Sequence, residues 1–117
     1  MAAVGNLHLE RGIAHKLAGE YDAALVELRA ALAEDPQNGE VMHQIGLVLC
    51  FTGEFEESLE ALRKAVELQP SDVPSLLDLG KAEAMLGMYD EARATFERVL
   101  EIEPGNDVAQ KQLALFA

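Results

Sequence analysis

Apolar residues recur along the chain with the period of an α-helix. Phe55, Leu59, Leu62 and Val66 lie at positions i, i+4, i+7 and i+11, which places them on one helical face, and charged residues fill most of the remaining positions. The same periodicity, interrupted by turn residues, predicts an all-α chain. The predicted helices span residues 7–18, 21–34, 39–51, 55–68, 73–86, 89–102 and 107–116.

The third predicted helix is apolar on every side instead of on one. From Ile45 to Phe51 it reads Ile, Gly, Leu, Val, Leu, Cys, Phe. Such a helix must be covered on two faces: one packs within the protein, and the other is either buried by the curvature of the molecule or offered to a partner. Val48 and Leu49 could lie in the core between repeats or on the surface offered to a partner, and the sequence leaves both possibilities open. Leu47 and Phe51 are predicted to lie on the surface offered to a partner.

Turn-forming residues repeat every 34 positions. Two columns of glycine and one of proline keep this spacing: Gly12, Gly46 and Gly80; Gly19, Gly53 and Gly87; Pro36, Pro70 and Pro104. A fixed period of this length indicates a helical pair that is repeated three times. We therefore predict a single domain over residues 1–117, with repeats at 5–38, 39–72 and 73–106 and a final helix at 107–117.

Each column has a physical role in such a pair. The Gly19 column follows an apolar run and can adopt the left-handed conformation that ends a helix. The Gly12 column lies inside a helix, where glycine costs about 1 kcal/mol relative to alanine, so close approach of a neighbouring helix is expected. The prolines end the second helix of each pair. The candidate N-caps of the next helix follow two residues later: Asn38, Asp72 and Asn106.

The pattern resembles the tetratricopeptide repeat (TPR), whose motif reads W-x2-L-G-x2-Y, then A-x3-F, then P. Repeat three matches it through Leu79, Gly80, Ala92, Phe96 and Pro104. The chain departs from the motif at its tryptophan and tyrosine positions. His8, Met42 and Leu76 replace the tryptophan, and His15, Leu49 and Glu83 replace the tyrosine.

The resemblance implies a right-handed α-solenoid whose last helix covers the open end of the stack, through Val108, Leu113 and Leu115. It also implies that the first helices of the repeats line a concave groove, here with an apolar centre at Leu47, Phe51, Leu77 and Met85. The predicted groove residues are Asn6, Leu9, Glu10, Ile13, Leu17, His43, Gln44, Leu47, Cys50, Phe51, Leu77, Asp78, Lys81 and Met85, with Lys16, Glu40, Pro74 and Ala84 on the same stripe.

Some members of the family hold the carboxylate end of acidic chaperone tails with a clamp of lysine, asparagine and arginine. The corresponding positions in this chain are Leu9, Ile13, Gln44, Pro74 and Asp78. Because the cations are missing and Asp78 is acidic, binding of an acidic tail is expected to be disfavoured. The groove suits an amphipathic helix or an extended apolar segment instead.

Acidic residues outnumber basic ones by 21 to 9, for a formal net charge of −12. This charge repels phosphate backbones and anionic lipid surfaces, so neither nucleic acid nor membrane insertion is expected. The acidity is typical of a solvated helical surface, with selection of a basic partner as the alternative. No secretory signal is recognised at the N-terminus, and the single cysteine, Cys50, suits a reducing compartment, which favours the cytoplasm.

Candidate catalytic and metal-binding residues have simpler interpretations. His8 and His15 share a helical face, but they occupy columns of core aromatic residues and no second pair of ligands accompanies them. Cys50 lacks a recognisable base nearby and is interpreted as a small hydrophobic residue. The chain is therefore predicted to have no metal site, no cofactor and no enzymatic activity.

The predicted function is that of a protein–protein interaction adaptor or scaffold that binds a peptide or helix of a partner. Three alternatives stay open. The chain could be a chaperone of a secreted hydrophobic protein, as small acidic type III secretion chaperones of the family are. It could also associate with itself into arrays, or be the docking piece of a larger enzyme.

Overall fold

The computed structural model describes residues 4–116 of the chain, with side chains described from Leu7 onward. Within this part every regular element is a helix. The helices are α1 (Val4–Leu17), α2 (Tyr21–Glu34), α3 (Gly39–Phe51), α4 (Phe55–Leu68), α5 (Val73–Met85), α6 (Tyr89–Ile102) and α7 (Asp107–Ala114). The all-α prediction is confirmed, and most helix boundaries agree within one residue. The exceptions are α1, which begins earlier than predicted, and α7, which ends earlier.

Consecutive helices pack as antiparallel pairs, α1 with α2, α3 with α4 and α5 with α6. The second helix of each pair then packs against the first helix of the next, and α6 packs against α7. The resulting stack measures 46 × 28 × 21 Å. This arrangement is a helical-repeat solenoid, in which each unit mainly contacts its neighbours.

Two glycines show why the period is fixed. A Cβ atom on Gly46 would lie 2.6 Å from Cγ of Leu62, so α3 and α4 approach so closely that any side chain at this position would displace Leu62. Gly53, two residues after the end of α3, has a φ of 82°, a conformation that glycine adopts without steric cost. The predicted close approach and the predicted left-handed helix end are both observed.

The first helix of a pair is capped by a side chain where the sequence predicts it. Asn38, Asp72 and Asn106 each accept a hydrogen bond from the backbone N–H three residues later, at the starts of α3, α5 and α7. These bonds satisfy one of the free N–H groups that every helix start presents. The second helices, α2, α4 and α6, begin without a side-chain cap.

The core forms two clusters along the stack. Leu28 and Val48 are fully buried in the cluster between the first and second pairs. Leu62 and Phe96 are fully buried in the cluster that continues to the last helix. Polar groups inside the core are paired: the hydroxyl of Ser58, for example, donates to the carbonyl of Gly46 over 2.7 Å.

The capping helix α7 uses a different face from the one predicted. Ala109 is buried, and Leu113 and Phe116 pack against the core, whereas Leu115 is 76% exposed and Val108 is also exposed. The packed residues lie at i, i+4 and i+7, which defines one helical face, while Val108 and Leu115 lie together on another. The capping role of Val108 and Leu115 was therefore wrong, and that of Leu113 agrees with the structure.

None of the helices from α1 to α7 is long and apolar enough to cross a lipid bilayer.

Candidate partner-binding face

Three exposed apolar side chains stand at equivalent positions of the three helical pairs. Leu17, Phe51 and Met85 are the last residues of α1, α3 and α5, one repeat apart, and are 79%, 58% and 62% exposed. We call these three residues the apolar column. Exposed apolar side chains are ordinary when scattered singly, but their recurrence in one column across three helices makes an extended apolar surface.

A second, half-buried row lies one helical turn earlier. Ile13 and Leu47 precede Leu17 and Phe51 by four residues and so share their helical faces, and both are partly buried. In the third pair this row holds the exposed Lys81. The apolar surface is therefore two rows wide over α1 and α3 and narrows to one row at α5.

Phe51 is positioned by an aromatic neighbour from the preceding pair. Its ring centroid lies 5.6 Å from that of Tyr21, the first residue of α2, with the rings inclined at 31°. This separation and tilt fall in the range of favourable aromatic pairs. The contact fixes one side of the Phe51 ring and leaves the rest of the ring accessible.

Two polar pairs connect the first helices. The ammonium of Lys16 on α1 donates to Oε1 of Gln44 on α3 over 2.6 Å. Nε2 of His43 on α3 lies 2.7 Å from Oδ2 of Asp78 on α5. Burial lowers the pKa of Lys16, and the Asp78 carboxylate partly offsets this effect. Gln44 and Asp78 are therefore each bonded to a neighbouring first helix.

The other predicted groove residues have varied surroundings. Leu9 is only 8% exposed and belongs to the core, so it offers little surface to a partner. Cys50 is half-buried, and its sulfur lies 3.3 Å from the hydroxyl oxygen of Ser58. Glu10 is exposed, and Leu77 packs partly against the core. The side chain of Asn6 lies outside the described residues.

The apolar helix α3 divides its residues between core and surface. Val48 and Leu49 are buried, so of the two locations that the sequence left open for them, the structure has the core. Leu47 is half-buried and Phe51 is exposed. Because adjacent helical residues point about 100° apart, one turn of α3 contributes residues both to the core and to the exposed surface.

A cleft at the end of the stack was not predicted from the sequence. It has a volume of about 550 Å³ and is lined by Ala84, Tyr89, Arg93, Gln112, Leu115 and Phe116. A depression of about 320 Å³ beside it shares Ala84 and Gln112 and reaches Lys81 and Met85, so the cleft continues from the apolar column. Its lining comes from three helices and the C-terminal turn, which no single helical stripe reveals.

The histidines near the N-terminus are each held by a different carboxylate. Nδ1 of His8 lies 2.6 Å from Glu27, and Nδ1 of His15 lies 3.1 Å from Glu20. The hydrogen bond with His8 is the main cause that lowers the pKa of Glu27. In the part of the chain from Val4 to Phe116, no three His, Cys, Asp or Glu residues are grouped as metal ligands would be.

Known proteins share this architecture. A family model of the tetratricopeptide repeat matches residues 38–103, and a second model of that repeat matches residues 5–30. No curated protein sequence matches the chain.

Solved structures extend the likeness over almost the whole chain. The first TPR of Spaghetti (RPAP3), bound to the HSP90 peptide SRMEEVD, is 26% identical with a TM-score of 0.91, and the match covers 97% of this chain and 94% of that one. The second TPR domain of human RPAP3, in complex with the HSP70 peptide SGPTIEEVD, is 25% identical with a TM-score of 0.86, covering 95% and 96%. The Sgt2 TPR domain from Aspergillus fumigatus is 21% identical with a TM-score of 0.89, covering 97% and 77%.

Proposed function

Because the chain belongs to the tetratricopeptide repeat family, we propose that it is an interaction adaptor that binds an apolar segment of a partner polypeptide and catalyses no reaction. The apolar column of Leu17, Phe51 and Met85 carries this proposal, since its side chains are exposed at the same position of all three pairs. The fold itself does not require them, because the core is built from other residues of the same helices.

Similar TPR structures support peptide binding but indicate a different ligand. The two RPAP3 domains hold peptides that end in the acidic sequence EEVD. In this chain the positions that correspond to the carboxylate clamp of the family hold Leu9, Ile13, Gln44, Pro74 and Asp78. Gln44 and Asp78 are already bonded to Lys16 and His43, and Asp78 brings a negative charge.

Electrostatics add to this difference. The chain carries a formal charge of −12, and like charges in a binding site strongly disfavour a ligand. We therefore expect the peptide SRMEEVD to show no measurable binding in calorimetry at physiological ionic strength. If SRMEEVD bound tightly to the wild type and equally tightly to the Phe51→Asp variant, the peptide site would lie elsewhere and the apolar column would not be the binding surface.

The decisive experiment for the adaptor function compares proteins captured from the source lysate by three forms of the chain. These are the wild type, the double variant Leu47→Asp with Phe51→Asp, and the control Val26→Asp. Val26 is 69% exposed on α2, a second helix, so it matches the apolar column in exposure but not in location. Quantitative mass spectrometry is expected to show partners that the double variant loses and the Val26 variant keeps.

Circular dichroism makes the comparison interpretable. The helicity of the double variant at the temperature of the capture experiment should stay close to the wild type, because Phe51 is exposed. The melting temperature should fall modestly, because Leu47 is half-buried and aspartate loses its apolar burial. Folded variants with identical capture lists would contradict the adaptor proposal. If analytical ultracentrifugation showed self-association that requires Phe51, the column would be a contact between copies of this chain. A cytoplasmic location stays a prediction that imaging of a tagged chain tests.

A further inference from the structure

The spacing of the apolar column suits one kind of ligand. The first helices α1, α3 and α5 contact one another in order, and axes of packed helices lie about 8–10 Å apart. Residues seven apart on an α-helix rise about 10.5 Å and lie on nearly the same face. On a β-strand, residues of one face repeat at about 6.8 Å and 13.6 Å, and neither distance matches the spacing of about 8–10 Å between packed helices.

The width of the apolar surface also favours a helix. Ile13 and Leu47 add a second row beside Leu17 and Phe51, about 6 Å away along the helix axes. A helical ligand about 10–12 Å in diameter covers both rows, because its residues at i and i+3 or i+4 diverge enough to reach each of them. A polyproline II segment repeats at about 9.3 Å but presents a single row of side chains on a given face.

Carboxylates border this surface on two sides. Glu20 and Glu54 are exposed three residues beyond Leu17 and Phe51, at the turns that follow α1 and α3. On the other border, seven residues before Leu17 and Met85, lie Glu10 and Asp78. Two lysines lie on the same face: Lys16, which is bonded to Gln44, and the exposed Lys81. His15 and His43 face Glu20 and Asp78, so among the residues that the structure describes the carboxylates of Glu10 and Glu54 are the ones on these borders without such a contact. A ligand on the apolar column therefore lies between two acidic borders.

From this spacing, width and charge we infer that the apolar column binds a basic amphipathic α-helix of the partner. Its apolar residues recur at seven-residue intervals and contact Leu17, Phe51 and Met85, and lysine or arginine on its flanks faces Glu20 and Glu54. This inference rests on the proposed adaptor function and specifies the class of ligand. The inferred ligand is basic, whereas the peptides that the RPAP3 domains bind end in the acidic sequence EEVD.

Synthetic peptides of about 18 residues, which form roughly 27 Å of helix, test the ligand class. The first carries leucine at seven-residue intervals with an adjoining leucine at i+3, and lysine on both flanks. A second has glutamate in place of every lysine, and a third has two central residues replaced by proline to break the helix. Binding of each fluorescently labelled peptide is measured by anisotropy to the wild type, Phe51→Asp, Val26→Asp and the pair Glu20→Lys with Glu54→Lys.

The expected result is saturable binding of the lysine peptide, with affinity lowered at least about tenfold by Phe51→Asp and left unchanged by Val26→Asp. Reversing Glu20 and Glu54 should weaken the lysine peptide and strengthen the glutamate peptide, and added salt should reduce both effects. The proline-broken peptide should bind at least about tenfold more weakly than the intact helix.

Two different failures are distinguishable. If the glutamate or the proline-broken peptide binds as well as the lysine helix, and Phe51→Asp abolishes that binding, the ligand class is overturned while the adaptor face stands. If the lysine peptide does not bind, or binds equally to the Phe51→Asp variant, the inferred ligand is also wrong. The adaptor function fails separately, when the capture experiment finds no partner that depends on Leu47 and Phe51.

Discussion

The first and second helices of the repeat are built differently, as α3 and α4 show. In α4 the leucines and the valine at 59, 62 and 66 are buried, and acidic and basic residues fill the outer face. In α3 the core takes Val41, Ile45, Val48 and Leu49, yet the helix also carries Leu47 and the exposed Phe51. The large apolar residues of α4 therefore serve mainly the core, whereas α3 also carries a large apolar residue that the core does not use.

The two kinds of helix also begin differently. Side-chain caps start α3, α5 and α7, while α2, α4 and α6 have no side-chain cap. The second helices carry acidic residues in their first turn, which interact favourably with the positive end of the helix dipole, and α3 and α7 have such a residue in addition to their cap. Two helices of the candidate binding face, α3 and α5, are thus started by specific bonds, and the second helices by a less directional interaction.

The largest expected effect separates two neighbouring residues of α3. Leu49→Ala should lower the free energy of unfolding by about 2–5 kcal/mol, because Leu49 is buried in the core. Phe51→Ala should cost less than about 1 kcal/mol, since its ring is mostly exposed. Urea denaturation measures both, and equal costs would mean that Phe51 is a core residue and not part of a surface for partners.

A smaller loss is expected where the two helices of a pair come closest. Gly46→Leu should destabilise the fold by about 1–3 kcal/mol, because even a Cβ atom there would meet the side chain of Leu62. Gly105→Leu is the matched control, since a Cβ atom on Gly105 has no neighbour within 4 Å. Thermal melting that fails to distinguish the two variants would refute the close approach of α3 and α4.

The difference in capping predicts that Asp72→Ala lowers the free energy of unfolding by about 1 kcal/mol. The substitution removes the hydrogen bonds that Asp72 accepts from the backbone N–H and the hydroxyl of Ser75. Glu54→Ala, at the corresponding position of α4, removes no capping bond and should cost less than about 0.5 kcal/mol. Urea titrations of the two variants test the contrast, which fails if both lose the same stability.

The smallest effect concerns a buried carboxyl group in α5. Burial raises the pKa of Glu83, and a hydrogen bond donated by the Thr95 hydroxyl over 2.6 Å partly opposes the shift. A raised pKa in the folded state means that the charged form destabilises the protein above that pKa, and that the penalty disappears as the pH falls toward the ordinary value. Glu83→Gln keeps an acceptor for Thr95 and removes the charge.

The melting temperature of the Glu83→Gln variant should therefore exceed that of the wild type at pH 7, and the difference should shrink on acidification. The exposed Glu97→Gln on α6 is the control, for which no such difference is expected. A lower melting temperature for Glu83→Gln at pH 7 would show that the carboxylate is stabilising in its pocket.

The repeat made most of the fold predictable. Gly53 and Asp72 locate helix ends through backbone conformation and capping, which are local effects that a sequence displays directly. The side chains of α7 show where this reasoning fails. Apolarity alone points to Val108 and Leu115, but these residues lie on a different helical face from Ala109, Leu113 and Phe116, which pack against the core. Spacing alone would have identified the correct face.

The binding face was only partly predictable. The apolar column follows from helical geometry, since Phe51 shares a face with Leu47. The bond between Lys16 and Gln44 spans two helices and depends on how far a flexible side chain reaches, which no periodicity encodes. Glu83 illustrates the same limit. The sequence shows that glutamate replaces the tyrosine of the motif at this position, but it does not show that the hydroxyl of Thr95 donates a hydrogen bond to the Glu83 carboxyl group.

Selection from a random peptide library tests most directly whether the first helices form the binding face. Peptides are enriched on the wild-type chain, and each is then measured against Phe51→Asp and Val26→Asp. Most enriched peptides should lose binding to Phe51→Asp and keep it with Val26→Asp. Enriched peptides that bind Phe51→Asp as tightly as the wild type, or that lose binding to Val26→Asp, would contradict it.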